Sequence, residues 1–172
     1  DLATGVSVQG VNISLASGDG IHGSSVTTVS VGTSSPVTVT GSGGDGVELS
    51  GAAGGVVSIA ATISTSAGRS VAVSGRTGGT TTFTGAITGT GISLTNNVGA
   101  TVAFTGTLNI SSGTASAFAA TGGGTVTVTG SDNRLTSVTG TALVVENTTI
   151  GAAGLTFRSV SSNGAPNGIR LV

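Results

Sequence analysis

The 172-residue sequence has no cysteine, methionine, tryptophan or tyrosine, and its only basic residues are five arginines. Without cysteine, neither a disulfide nor a thiolate-bound metal can form. Charged residues make up 6% of the chain, against about 25% in ordinary globular proteins. The net charge of −1 offers no basic patch for nucleic acid or an anionic membrane. No apolar run approaches the roughly 18 residues that a membrane-spanning helix needs.

Glycine and short alternating runs of apolar and polar residues fill the sequence instead. The stretch 89–111, GTGISLTNNVGATVAFTGTLNIS, contains three such runs, around Ile92, Val102 and Leu108. Alternation with period two is the pattern of a half-buried strand, and Asn-Asn and Gly between the runs are typical of turns. Sustained helical spacing of apolar residues is missing, so we expect an all-β protein.

Equivalent apolar positions recur every 21 to 26 residues along the whole chain. The first residues of similar strands form one column: Ile21, Val47, Val71, Ile92, Phe118, Leu143 and Ile169. A second column contains Val31, Ile59, Phe83, Phe104, Val128 and Phe157, and a third contains Val39, Ile63, Ile87, Leu108, Leu135 and Val160. Three columns with a common period predict one domain, 1–172, folded as a three-sided parallel β-helix of about seven coils. An antiparallel sandwich has no reason to keep one register over six repeats.

The repeats resemble those of right-handed parallel β-helix proteins, in particular the Gly/Ser/Thr/Asn-rich, cysteine-free repeats of large bacterial secreted and autotransporter-type surface proteins. The blocks that carry the resemblance are 89–97, 99–111, 122–135, 140–150 and 154–169. The resemblance implies a right-handed coil, a bacterial cell-surface or extracellular location, and a segment of a longer solenoid. It further implies a structural or adhesive scaffold without catalysis: a stalk, a passenger segment of an adhesin, or a filament subunit.

Few side chains are candidates for chemistry. Asp19 and Asp45 occupy equivalent places in GDGI and GDGV, so they should stack on successive coils, where they could bind Ca²⁺ or cap turn amides. His22 is the only histidine and has no partner residues for a zinc site or a triad. Arg69 and Arg76 flank one strand and could bind an anionic sugar, which leaves a polysaccharide-active enzyme as a third hypothesis. We expect no cofactor.

Outward threonines beside the second column form the candidate binding face. The residues concerned are Thr82, Thr84, Thr105, Thr127, Thr129 and Thr156, interrupted by Ala60, Ala103 and Arg158. This regular hydroxyl array resembles the flat faces of solenoid ice-binding proteins, and the alternative function is therefore a module that binds ice or a glycan surface. The preference of β-branched residues for strands explains the same threonines without any ligand.

The end coils form the candidate assembly edge. An uncovered edge of a parallel sheet is a template for association. The residues predicted at this edge are Val6, Val8, Val11, Ile13, Leu15, Ile169 and Leu171. The expected partner is a second copy stacked head to tail, or an adjacent solenoid segment. A host or environmental glycan is a further expected partner, whereas nucleic acid and membrane insertion are not expected.

Overall fold

The computed structural model describes residues 1–64 and 67–172, and these residues form a solenoid of 21 strands, three in each of seven coils. No helix in this part of the chain could span a membrane. The strands, coil by coil, are β1 (Val6–Val8), β2 (Asn12–Ser14) and β3 (Ile21–Ser24); β4 (Val29–Val31), β5 (Thr38–Thr40) and β6 (Val47–Ser50); β7 (Val56–Ile59), β8 (Thr62–Ser64) and β9 (Val71–Ser74); β10 (Thr80–Phe83), β11 (Ile87–Gly89) and β12 (Ile92–Thr95); β13 (Thr101–Phe104), β14 (Leu108–Ser112) and β15 (Phe118–Thr121); β16 (Thr125–Val128), β17 (Arg134–Ser137) and β18 (Leu143–Glu146); β19 (Thr149–Leu155), β20 (Ser159–Ser162) and β21 (Ile169–Leu171).

Corresponding strands of successive coils pair in parallel and build three seven-stranded sheets. Sheet A holds the first strand of every coil, sheet B the second, and sheet C the third. The side chains alternate between the interior and the outer surface, as the period of a strand requires. The predicted all-β, three-sided parallel solenoid of about seven coils is thus confirmed.

The first predicted column is confirmed at every position. Each of its residues pairs with the equivalent residue of the next coil in sheet C, from Ile21 and Val47 to Leu143 and Ile169. Its members in coils one to six are buried. A glycine or another small residue stands ahead of each strand and marks the corner. The first strand residue after that corner is therefore the inward one, and the alternation along the strand follows from it.

The second column is confirmed from Val31 to Val128 but is wrong at Phe157. Val128 pairs with Leu155, because β19 makes a bulge between its pairing with Val126 and its pairing with Val128. Phe157 lies past the end of β19, and its ring contacts Phe118 edge-on at a centroid distance of 6.0 Å. A bulge adds residues to one strand alone, so the partner of Val128 lies further along the chain than the spacing before the bulge indicates, and residue counting does not identify it.

The third column is confirmed from Val39 to Leu108 and from Leu135 to Val160, but the step from Leu108 to Leu135 is wrong. Ile87 pairs with Leu108, but Leu135 pairs with Ile110. The position over Leu108 belongs to Asn133, whose side chain is buried inside the coil. An inward asparagine is polar, so the apolar pattern passes over it and selects the next inward residue.

Aromatic rings add specific packing to the narrow interior. The rings of Phe83 and Phe104 stack with centroids 5.0 Å apart, and Phe118 meets Phe104 edge-on at 5.6 Å. All three side chains are buried. These offset and edge-on geometries are the favourable ones for aromatic pairs.

Candidate functional site

Three rows of outward residues, most of them threonines, run across the coils on the outer face of sheet A. The row nearest the start of the strands is Thr80, Thr101, Thr125 and Thr149. The central row is Ser58, Thr82, Ala103 and Thr127. In the third row Thr84, Thr105, Thr129 and Thr156 each donate the backbone N–H to the preceding coil, over 2.8 to 2.9 Å. We call these three rows the threonine face.

The predicted binding residues all lie on the threonine face, with one change of register. Thr156 stands beside Thr129 rather than beside Thr127, because of the bulge in β19. Arg158 therefore does not interrupt the array at the place expected. The row that begins at Thr80 was missed, although the motif T-T-T at 80–82 already places a second outward threonine in β10.

A second polar row, with hydroxyl groups on four of its five residues, crosses the outer face of sheet B. It contains Ser14, Thr40, Ser64, Thr88 and Asn109, and all five side chains are exposed. Sequence reasoning missed it, although the motifs T-V-T at 38–40 and T-I-S at 62–64 signal it. The preference of threonine for strands explains such rows on two faces, and a ligand-binding role explains them as well.

The acidic side chains of the first two coils stack at the corner between sheets B and C. Asp19 Oδ1 accepts the N–H of Asp45 at 2.8 Å, and Asp45 Oδ1 accepts the N–H of Arg69 at 2.6 Å. Each aspartate thus caps the equivalent residue of the next coil. Among the described residues no group of three or more His, Asp or Glu side chains could hold a metal ion. The residues proposed for Ca²⁺ therefore lie where expected, and their carboxylates bind backbone amides.

The pKa values of Asp45 and Glu48 are both raised. Burial raises the pKa of Asp45 above its ordinary 3.8, against the opposing hydrogen bond from the Arg69 amide. The hydrogen bond with Asp19, followed by burial, raises the pKa of Glu48 above its ordinary 4.5. Both groups consequently hold a proton more readily in the folded chain than in the unfolded one.

A groove of about 420 Å³ opens at the same corner, where the fourth coil is shortest. Only Thr90 and Gly91 separate β11 from β12, so the longer corners of the coils on either side form walls. Arg69 crosses the floor, and its Nη1 donates to the carbonyl of Ser116 over 2.8 Å. Asp45 lines the groove beside it.

Arg76 lies inside the solenoid and not on the surface, so the prediction that it binds a sugar together with Arg69 is wrong. Its side chain is 1% exposed. Nη1 donates to the carbonyl of Val26 at 3.0 Å, and Nη2 donates to the carbonyl of Gly54 at 3.1 Å. Burial lowers the pKa of the guanidinium from its ordinary value. The residue therefore acts as a clamp between coils.

Asn97 extends this clamp to the next coil. Its Oδ1 accepts the N–H of Arg76 at 3.1 Å, and its Nδ2 donates to the carbonyl of Val73 at 2.9 Å. Val26, Gly54, Arg76 and Asn97 lie in four successive corners between sheets C and A. One buried polar chain thus connects four coils.

The end coils leave interior side chains partly uncovered. On the first coil Val6, Val8 and Ile13 pack against the core but are only half-buried, while Val11 and Leu15 are exposed. On the seventh coil Ile169 and Leu171 are 51% and 57% exposed. An apolar concavity of about 350 Å³ opens between them and Phe157. The predicted assembly residues thus lie in the two end coils.

Comparisons with protein-family models, with curated proteins and with solved structures found no match.

Proposed function

We propose that this chain is a structural scaffold of the bacterial cell surface or the extracellular space, a stalk or passenger segment that holds its outer faces away from the cell and performs no catalysis. The observation that carries the proposal is the continuity of the coils. The inner column of sheet C runs in register through all seven coils, and buried Arg76, Asn97 and Asn133 bond coils to one another. Such a rod transmits shape and load along its axis.

The outer chemistry supports the same role. The outer faces carry mainly hydroxyl groups, and the five arginines are the only residues at which trypsin could cut. Arg76 is buried, and Arg69 is tied to the carbonyl of Ser116. Titratable groups are too few and too scattered for acid–base catalysis, apart from the stacked carboxylates that cap amides.

Resistance to unfolding and proteolysis tests the scaffold role. We expect trypsin and a broad-specificity protease to leave the folded chain intact for days, because cleavage requires the opening of several coupled coils. The variant Val102→Asp buries a charge in the interior and should be degraded rapidly. The proposal fails if the wild-type chain is cut within minutes at native conditions. For the location, an antibody against the chain should label intact bacteria that express the gene.

A module that binds ice or a glycan surface is the second candidate, and the threonine face favours it. Its rows repeat at the strand spacing of about 4.8 Å in one direction and at two residues along the strand in the other. Thermal hysteresis and ice shaping measure the first activity, and a glycan array measures the second. Thr105→Lys should abolish either activity, whereas Thr88→Lys on sheet B is the matched control and should not. Absence of both activities removes this candidate.

A cleavage assay on uronate polymers tests the third hypothesis, a polysaccharide-active enzyme.

A further inference from the structure

The groove at the corner between sheets B and C contains an arginine that bridges two coils. Arg69 belongs to the third coil, and its Nη1 donates to the carbonyl of Ser116 in the fifth. The fourth coil leaves room for this side chain, because only Thr90 and Gly91 form its corner. A Cβ added to Gly91 would lie 2.5 Å from Arg69 Nη1 and 3.2 Å from its Cδ. The side chain of Arg69 therefore lies directly against the backbone of Gly91.

The guanidinium of Arg69 keeps most of its donors unused. The arginines at the surface of the sixth and seventh coils, Arg134, Arg158 and Arg170, each form an ion pair with a carboxylate. In the part of the chain that the structure describes, Arg69 forms no ion pair, and its side chain donates only to Ser116. The edge formed by Nε and Nη2 has the fork geometry that binds a carboxylate through two parallel hydrogen bonds. The groove thus offers a site for one carboxylate.

Asp45 supplies a hydrogen-bond acceptor in the same groove. Its Oδ1 accepts the N–H of Arg69, which places the carboxylate at the level of the third coil. Its Oδ2 accepts no hydrogen bond from the residues that the structure describes. The guanidinium lies at the level of Gly91, one coil further along the axis, which is a step of roughly 4.8 Å. A carboxylate oxygen of this kind accepts hydrogen bonds from the hydroxyl groups of a ligand.

The rest of the groove suits a small polar ligand. None of the four phenylalanines lines it, so no aromatic ring offers a stacking surface. Its volume of about 420 Å³ lies in the range of small-molecule sites, about 300–1,000 Å³. The other lining residues are small or carry hydroxyl groups: Ala67, Gly68, Thr90, Ser112, Gly113, Thr114 and Ala115.

We propose that this groove binds a sugar acid, with the carboxylate of the ligand on Nε and Nη2 of Arg69 and its ring hydroxyls on Oδ2 of Asp45. The orientation follows from charge, because Asp19 and Glu48 add negative charge beside Asp45 and repel a carboxylate there. The sugar ring spans the step of one coil between the two charged groups. This site lies apart from the threonine face on sheet A, and it does not depend on the scaffold role.

Titration followed by two-dimensional NMR of the ¹⁵N-labelled chain tests the site. The probe is D-glucuronate, with D-glucose as the ligand that lacks the carboxylate and acetate as the ligand that lacks the hydroxyls. We expect glucuronate to shift the amide signals of Gly68, Arg69, Thr90 and Thr114, with a dissociation constant of about 1 mM. Glucose and acetate should bind at least about tenfold more weakly, because each loses one set of charge-assisted hydrogen bonds. Unshifted signals at a glucuronate concentration about tenfold above that constant, or equal binding of acetate or glucose, would overturn the proposal.

Two variants with matched controls locate the ligand. Arg69→Gln should weaken glucuronate binding at least about tenfold, whereas Arg134→Gln, at an arginine that is already ion-paired, should leave it unchanged. Arg69→Gln also removes the bridge to Ser116, so a second variant keeps the bridge. Ala115→Phe fills the groove from an exposed position and should abolish binding, and Ala52→Phe, at an exposed position between sheets C and A, should not.

Unchanged glucuronate binding in Arg69→Gln or in Ala115→Phe would contradict the assignment of the groove. Protease resistance of the chain without ligand reports on the scaffold role independently. A resistant chain that does not bind glucuronate therefore refutes the sugar-acid site alone.

Discussion

Replacement of Arg76 by methionine tests whether the buried clamp holds the coils together. The guanidinium is 1% exposed and donates to two carbonyls, one in each of the two preceding corners. Among the described residues no carboxylate forms an ion pair with it. Methionine is of similar length and apolar, so Arg76→Met removes the charge and both donors while filling most of the space.

Two opposing free energies decide the outcome. A hydrogen bond to a charged group contributes about 1.5–3 kcal/mol, so the loss of both bonds, to Val26 and Gly54, costs about 3–6 kcal/mol. Burial of the Arg76 charge carries a desolvation penalty, which also lowers the pKa of this residue. Arg76→Met removes the charge and so recovers part of that free energy. Val26 is buried and Gly54 is half-buried, and both carbonyls lose their donor in the variant. We therefore expect the lost hydrogen bonds to outweigh the recovered desolvation, with a net destabilisation of about 2–4 kcal/mol.

Guanidinium unfolding followed by far-ultraviolet circular dichroism measures the difference. The matched control is Arg134→Met, which removes a surface arginine that is 40% exposed and pairs with Asp132, and it should change the unfolding free energy by less than about 0.5 kcal/mol. Hydrogen exchange should show the loss of protection concentrated in the coils that contain Val26, Gly54 and Arg76. If Arg76→Met is as stable as the wild type or more stable, the burial penalty dominates and the clamp does not stabilise the solenoid.

Three further predictions concern the interior and the acidic corner. Asn133→Leu should lower the unfolding free energy by about 3–6 kcal/mol in chemical unfolding. The reason is that Asn133 Oδ1 accepts from the Leu108 N–H and Nδ2 donates to two carbonyls. An unchanged unfolding free energy would show that the site relaxes around the leucine. Phe104→Ala should cost about 3–5 kcal/mol by the same assay, since it leaves a cavity between two aromatic contacts. The folded pKa values of Asp45 and Glu48 are raised. The contribution of each group to stability should therefore increase as the pH falls toward its ordinary pKa, which is 3.8 for Asp45 and 4.5 for Glu48. Hydrogen exchange measures this pH dependence as the protection of amides in the first two coils. Asp45→Asn should weaken the pH dependence, and an unchanged dependence would contradict its assignment to Asp45.

The period of the sequence determined the fold class and one complete column of the interior. Stacked coils must present an apolar residue at the same place in every repeat, and the corner ahead of each sheet C strand marks that place, as at Val71 and Ile92. The same alternation assigned the outward threonines Thr82 and Thr127 to one face. The inward or outward place of a residue depends on the alternation along its own strand, and the fold class depends on the recurrence of that alternation along the chain.

Tertiary structure alone decided where the period is broken and which polar residues point inward. The bulge in β19 shifts Leu155 into the place predicted for Phe157, and Asn133 takes an inward place that the apolar pattern does not mark. Arg76 is predicted at the surface because arginine is rarely buried, yet it lies inside because carbonyls of two other coils are within its reach. Those acceptors are 22 and 50 residues away in the sequence. Only the stacking of coils brings them together, so no local pattern reports them.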